Sequence, residues 1–150
     1  MKVECSYDEM VPIKDLKPNP KNENEHTREQ IERLAKILKY QGWRKPIIVS
    51  HQSGLMVTGH CSLAAAIHNG WTEIPVSHQN FSEDQETAHR VADNAMASWA
   101  HLNLGSVNLN LADMDPSFDV ENFGIKSFQV EPLDKPQRGC PQCGYVKIKP

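Results

Sequence analysis

Three groups of residues in this chain of 150 carry types and spacings that can do chemistry. The first is the corner Thr58-Gly59-His60-Cys61-Ser62, where the apolar run Leu55-Met-Val-Thr58 passes through a glycine into the alanine-rich stretch Cys61-Ser-Leu-Ala-Ala-Ala-Ile-His-Asn69. A strand that ends in glycine and feeds a helix aims free backbone N–H groups and the positive end of the helix dipole at one spot, which suits a phosphate. A plain tight turn is the other reading of such a glycine. Lys45, Arg44, His60 and, farther along, Arg90 are the side chains that could add positive charge there. The second group is Asp93-Asn94, a carboxylate beside an amide. The same residues also fit a polar helix face, with Arg90 four positions from Asn94 and His89 four from Asp93. The third is Cys140-Pro-Gln-Cys143, two thiols at the spacing of one zinc knuckle, which supplies half of the four ligands a closed structural site needs.

Single residues add to these groups. Cys61, in the first turn of a helix, would have its thiolate stabilised by the dipole, which makes it a candidate nucleophile. A small buried cysteine is the plainer reading. Glu23 and Glu25, in a polar loop, are carboxylates that could serve as a general base, or stand there simply solvated.

The elements that must position these residues follow from periodicity and punctuation. Met10-Val-Pro-Ile13 reads as a short strand in which Pro12 is tolerated near an edge or a strand start. Residues 15–26 are polar and hold two prolines, Pro18 and Pro20, so they read as loop. Thr27 with Gln30 forms a capping box for a helix whose apolar positions are Ile31, Leu34, Ala35 and Leu38, ending at Gly42. Pro46–Ser50 and Leu55–Thr58 form a hairpin around His51-Gln-Ser-Gly54. A short helix over 61–69 is capped by Gly70, and Glu73–His78 is a further strand. Ser82 with Gln85 opens a last helix, with an apolar stripe of Ala88, Val91, Ala92, Ala95, Met96 and Trp99 facing the core and His89, Arg90, Asp93 and Asn94 on the polar face. After His101, the alternating Val107, Leu109 and Leu111 and a helical turn at Asp119–Phe123 are expected to brace the core. Residues 131–150 turn polar and proline-rich, a tail ordered only if something binds it.

The composition, 39% hydrophobic and 23% charged, is that of a globular protein, and no apolar run nears the roughly 18 residues of a membrane helix. Met1-Lys-Val-Glu-Cys-Ser6 lacks the apolar core of a secretion signal, so the expected location is the cytoplasm. Four cysteines in that reducing compartment need not pair. Lys and Arg number 16 against 19 Asp and Glu, so the net charge of −3 leaves any nucleic-acid contact to a local patch.

The order strand, loop, capped helix, Gly42-Trp-Arg-Lys-Pro-Ile-Ile-Val49, strand, and Thr58-Gly-His-Cys-Ser-Leu-Ala-Ala-Ala66, with Ile74-Pro75-Val76 after Gly70, resembles the N-terminal domain of the ParB and sulfiredoxin superfamily. The resemblance covers about residues 10–99. Ala92-Asp93-Asn94 and the later Asp115-Pro-Ser-Phe-Asp119 look most like ParB-like domains associated with phage and prophage DNA-modification methyltransferases. It implies an α/β (α+β) fold, a small mixed sheet packed with helices, over residues 1–130, with a tail at 131–150. In ParB proteins the glycine corner holds the triphosphate of CTP, aided by arginines just after it. Carried over, this makes Lys45, Thr58, Gly59, His60, Cys61, Ser62 and Arg90 nucleotide-binding positions, with CTP or ATP/ADP as ligand and magnesium on Asp93 and Asn94. The sequence departs from the pattern at Cys61, Ser62 and Leu63, where the arginines would stand; a guanidinium is what makes phosphate binding tight. In sulfiredoxins a catalytic cysteine falls where Cys61 falls.

The function implied is that of a nucleotide-binding, DNA-associated accessory protein in DNA modification or partition of phage or prophage type. Its expected partners are a nucleotide, DNA or a methyltransferase, and a second copy of the chain. No helix-turn-helix follows to read a DNA site. Two alternatives stand beside it. One is an enzyme (phosphotransferase, nuclease or sulfiredoxin-like) using Cys61 or Glu25; the other is an interaction module docking through a zinc-binding Cys140/Cys143 tail.

Overall fold

The computed structural model of the protein describes residues 1–101 together with residues 106, 107, 110 and 113. Its elements are β1 (Glu9–Pro12), a 3-10 turn (Ile13–Asp15), α1 (Arg28–Gln41), β2 (Ile47–Ser50), β3 (Met56–Thr58), α2 (His60–His68), β4 (Glu73–Gln79) and α3 (Glu83–Trp99). The four strands form one sheet in the order β1-β4-β2-β3. The expected hairpin is present, with β2 antiparallel to β3 and Ile48 opposite Thr58. β4 then pairs in parallel with β2, Ile47 opposite Val76, because the chain returns through α2, the crossover that parallel pairing requires. β1 closes the other side antiparallel to β4, which puts Pro12 in an edge strand, where a missing N–H costs no ladder bond. The mixed sheet with packed helices is the fold that the resemblance implied.

Punctuation sets the helix ends. Thr27 caps α1 by accepting from Gln30 N at 3.2 Å, but the reciprocal half of the box is absent: Gln30 Oε1 instead accepts from His26 Nδ1. The box at Ser82/Gln85 of α3 is complete in both directions. Gly42 ends α1 at φ +80, and a Cβ there would sit 2.9 Å from Lys2 O, so glycine is required by conformation and by space.

The core lies between the sheet and the α1/α2 pair. Ala35 and Leu38 of α1 meet Leu63, Ala65 and Ala66 of α2, whose small side chains let the helices close on Ile47, Met56, Ile74 and Val76. Asn69 Nδ2 donates to Ala35 O at 2.9 Å and ties the two helices at one end. Trp43, wholly buried, follows Gly42 directly; its Nε1–H donates to Lys45 O at 2.6 Å and its ring tilts against Trp71. The N-terminal segment joins this layer through Trp43, whose N–H and C=O pair with Lys2 O and Glu4 N, each at 2.8 Å.

α3 corrects the expectation drawn from its apolar stripe. Val91, Met96 and Trp99 are 48%, 61% and 71% exposed, whereas Arg90, assigned to the outer polar face, is 3% exposed. The inner face is instead Glu86, Arg90 and Asn94, at four-residue spacing, and all three bond the loop between the 3-10 turn and α1. A loop whose carbonyls and amides leave water needs polar partners, and this helix supplies them. Among the described residues no helix is long and apolar enough to cross a membrane. The bracing positions at 109, 111 and 119–123, the tail and the Cys140/Cys143 pair lie outside the described residues.

Candidate functional site

The site is built on the β3–α2 corner. β3 ends at Thr58, Gly59 turns the chain in the left-handed region (φ +95, ψ 16), and α2 begins at His60, one residue before the expected start. β2 crosses so closely behind that a Cβ on Gly59 would meet Ile47 Cγ1 at 2.8 Å. No side chain caps α2, and its first intrahelical bond runs from Leu63 N to Gly59 O, so the amides of His60, Cys61 and Ser62 precede the ladder. Thr58 Oγ1 is buried and, among the described residues, has no hydrogen-bond partner. The residues that carry these groups line a cavity of about 200 Å³.

The corner contributes Thr58, Gly59, His60, Cys61 and Ser62 to the cavity wall, Lys45 and Pro46 come from the approach to β2, and Asp93 and Asn94 come from α3. Eight of the positions singled out from sequence are thus brought together. Arg90 is not one of them. It lines a neighbouring cavity of about 280 Å³ with Asn19, Lys21 and Glu86, and its Nη1 donates to the Glu23 carboxylate and to Lys21 O. Glu25 is exposed and outside the cavity wall, and Arg44 donates from Nε to Gln41 O.

Sequence reasoning missed the remaining wall: Asn22, Asn24 and His26, from residues 16–27, which form a strap without helix or strand. Met56 N holds the strap at Lys17 O (2.9 Å). Asn19 Nδ2 donates to Glu86, Asn24 Nδ2 to Asn94 Oδ1 at 2.7 Å, and Asn94 Nδ2 to Asn22 Oδ1. The run of asparagines at 19, 22 and 24 was the available clue, since amides both donate and accept and can lace an irregular segment to a helix.

Electrostatics divides the cavity. Lys45 Nζ stands 3.5 Å from Asp93 Oδ1, an exposed pair that leaves both groups accessible to a ligand. Burial pushes the Cys61 thiol above its ordinary value, so it is a thiol at neutral pH, which opposes the nucleophilic reading. Burial first, then the charges of His26 and Arg90, lower His60, with Asp93 acting the other way. Asp93 offers magnesium an oxygen, while Asn94 Oδ1 is already taken by Asn24. Among the described residues no group of three His, Cys, Asp or Glu could hold a metal ion. The donors therefore fit Mg²⁺ only as the single protein carboxylate of an ion otherwise held by phosphate and water.

The Arg90–Glu23 pair is asymmetric: the guanidinium side chain is 4% exposed and the carboxylate 59%. Removing Glu23 strands a buried charge, whereas removing Arg90 leaves a carboxylate that water can solvate. Glu23→Ala is accordingly expected to loosen the strap more than Arg90→Met, read as hydrogen exchange of residues 19–24; the reverse order would refute the asymmetry. Hydrogen bonding from Arg90 holds the Glu23 carboxyl below its ordinary 4.5. Its contribution is thus complete above pH 4.5 and is lost as pH falls through the lower folded value.

The family model of the ParB N-terminal domain matches residues 2–95. A curated relative, the "ParB-like nuclease domain-containing protein YnaK" of Escherichia coli (strain K12), is 29% identical over 65 residues, 43% of this chain and 74% of that protein. Among solved structures, the C-terminally truncated chromosome-partitioning protein ParB from Caulobacter crescentus, complexed with CTP-gamma-S, superposes with a TM-score of 0.58 at 23% identity, covering 69% of this chain and 60% of that one. The same protein complexed to the centromeric parS site gives a TM-score of 0.50 at 19% identity, covering 78% and 65%. The chain thus spans less than two thirds of those ParB structures. At these identities the superpositions establish the fold, and the family match, over more than half the chain, establishes that it belongs to the ParB N-terminal domain family.

Proposed function

We propose that the chain is a nucleotide-binding ParB-type module that takes the polyphosphate of a nucleoside triphosphate at the β3–α2 corner, with Asp93 presenting Mg²⁺ to it. The observation that carries this reading is the corner itself: a helix start with no side-chain cap, lining one cavity together with Lys45 and Asp93. Helix-end amides and dipole favour an anion there. About 200 Å³ is below the volume usual for a whole drug-sized ligand, so it suits the phosphates, with the nucleoside projecting from the mouth. The CTP analogue in the Caulobacter ParB structure supports CTP as the first nucleotide to test.

Among the described residues, Lys45 is the one lysine or arginine on this wall, and Cys61 and Ser62 bring no guanidinium. Binding is therefore expected to be modest, with a Kd of the order of 10–100 μM, about −5.5 to −7 kcal/mol. Calorimetry of the full chain with CTP, ATP and ADP, with and without Mg²⁺, tests it. Heat with CTP that needs Mg²⁺ and disappears in Asp93→Ala supports the reading. Ser62→Arg should tighten binding about tenfold by adding a bidentate donor. Absence of heat with all three nucleotides overturns the reading and leaves an interaction module.

DNA association is supported by the parS complex of the Caulobacter relative, and the net charge of −3 confines it to a local surface. The finer role, an accessory of phage or prophage DNA modification beside a methyltransferase, rests on Ala92-Asp93-Asn94 and Asp115–Asp119 alone. The curated relative's description as a nuclease-domain protein favours one second reading, in which the same corner activates a phosphodiester. Nicking of supercoiled DNA with Mg²⁺, lost in Asp93→Ala, would replace the first reading with that one.

A further inference from the structure

One hydrogen bond joins the strap to the corner directly. Asn19 N–H donates to His60 Nε2 at 3.3 Å, across 41 residues of sequence. Asn19 is 7% exposed, and its own side chain is used on both sides of this contact: Oδ1 accepts from Lys21 N at 2.9 Å and Nδ2 donates to Glu86 Oε1 at 3.3 Å. The strap turns on this residue before it runs past the cavity as Asn22, Asn24 and His26. An imidazole accepts at Nε2 only when it is neutral and carries its proton on Nδ1, so this bond assigns the tautomer. A protonated ring would turn an N–H toward the Asn19 N–H, and the two donors would repel.

We propose that His60 is a positioning residue, a neutral imidazole peg that seats the strap at Asn19 and so shapes the cavity wall opposite the phosphate-facing amides. This rests on the reading of that cavity as the nucleotide site. The groups facing the ring come from every neighbouring element. His26 at the strap's end and Arg90 and Asp93 on α3 are the charges that act on it, and Lys45, before β2, and Cys61, on its own helix, line the same cavity. Burial and the positive members of this set keep the ring neutral at physiological pH, with Asp93 opposing. The nearest competing imidazole, His26, is itself engaged, donating from Nδ1 to Gln30 Oε1 at 3.2 Å. The linkage has one sign. The contact is complete above the ordinary imidazole value of 6.5; as pH falls from there toward the lower value of the seated ring, the seated-to-unseated ratio drops by up to about tenfold per pH unit and then levels off.

The test uses the full chain, with nitrogen NMR of the histidine rings and hydrogen exchange of the Asn19 amide from pH 8 to pH 5, normalised to the intrinsic rate at each pH. This window lies above the Glu23 titration, which keeps the two groups apart. The expected result is an Nδ1–H tautomer for His60 at pH 8 and Asn19 protection that declines in step with His60 protonation. His60→Gln, which places a non-titrating oxygen near Nε2, should hold protection flat across the range. His60→Ala should reduce it about tenfold at pH 8, and His26→Gln, which removes a charge that lowers His60, should move the decline to higher pH. CTP affinity should fall with Asn19 protection in the native chain and not in His60→Gln. An Nε2–H tautomer, or Asn19 protection indifferent to His60 protonation, overturns the peg. If the protection follows His60 while CTP gives no heat at any pH, the peg stands and the nucleotide reading falls. If CTP binds with the same affinity at every pH while Asn19 protection does not change, the peg falls and the nucleotide reading stands.

Discussion

Replacing Gly59 by alanine is expected to lower stability by about 3 kcal/mol, by about 1–2 kcal/mol for the left-handed backbone and by a similar amount for overpacking. The residue sits at φ +95, and its added Cβ would lie 2.8 Å from Ile47 Cγ1 and 3.4 Å from Ile47 Cα. Ile47 is wholly buried in β2 and has nowhere to retreat. For a folded unit of this size the melting temperature should fall by roughly 10–15 °C. Gly54 is the matched control. It also has a positive φ, of +68, yet among the described residues nothing lies within 4 Å of its Cβ position, so Gly54→Ala should cost only about 1 kcal/mol. Thermal unfolding followed by circular dichroism separates the two, and equal melting temperatures would show that β2 does not press on the corner. Because the same backbone presents the α2 amides, any Gly59→Ala protein that remains folded should also lose nucleotide heat.

Trp43→Ala should cost about 4 kcal/mol, in the range for emptying a large buried aromatic site. Trp43 has no exposed surface, packs against Trp71 with centroids 6.0 Å apart, and gives its indole N–H to Lys45 O. Deleting the ring opens a cavity beneath the α1/α2 pair and leaves the Lys45 carbonyl without its donor. Trp43→Phe keeps most of the volume and removes the donor, at an expected cost of about 1–2 kcal/mol. Chemical denaturation of both variants partitions packing from hydrogen bonding, and a Phe variant as unstable as the Ala variant would place the effect in the hydrogen bond. Lys45 lines the candidate cavity, so the Phe variant should also weaken nucleotide binding if that carbonyl sets the lysine's position.

The candidate site was legible where its chemistry is local. The Thr58–Ser62 corner could be singled out because a glycine between a β-rich run and an alanine-rich run marks a strand-to-helix turn, and the family resemblance marked both that turn and Asp93-Asn94. The strap was not legible as part of the wall. Its partners on α3 lie about 70 positions away, with Asn24 bonding Asn94 across 70 residues, and such pairings depend on the whole fold being closed. Arg90 shows the same limit. Its position on α3 was correct, but its direction was inferred from an apolar stripe that here turns outward.

By itself the sequence determined the elements and their order: capped helices at Thr27 and Ser82, turns at Gly42, Gly54, Gly59 and Gly70, and the apolar runs that became β2, β3 and β4. Those follow from dihedral limits, hydrogen-bond capping and hydrophobic period, all of which act within a few residues. Only the tertiary structure decided which face of α3 turns inward, that Asn19 rests on His60, and that Asn22, Asn24 and His26 wall the cavity with Asp93. Hydrophobic period favours burying the larger apolar stripe, but it counts one helix at a time. Once the strap's backbone and Asn19 left water, their polar groups needed partners, and Glu86, Arg90 and Asn94 were the groups that could reach them.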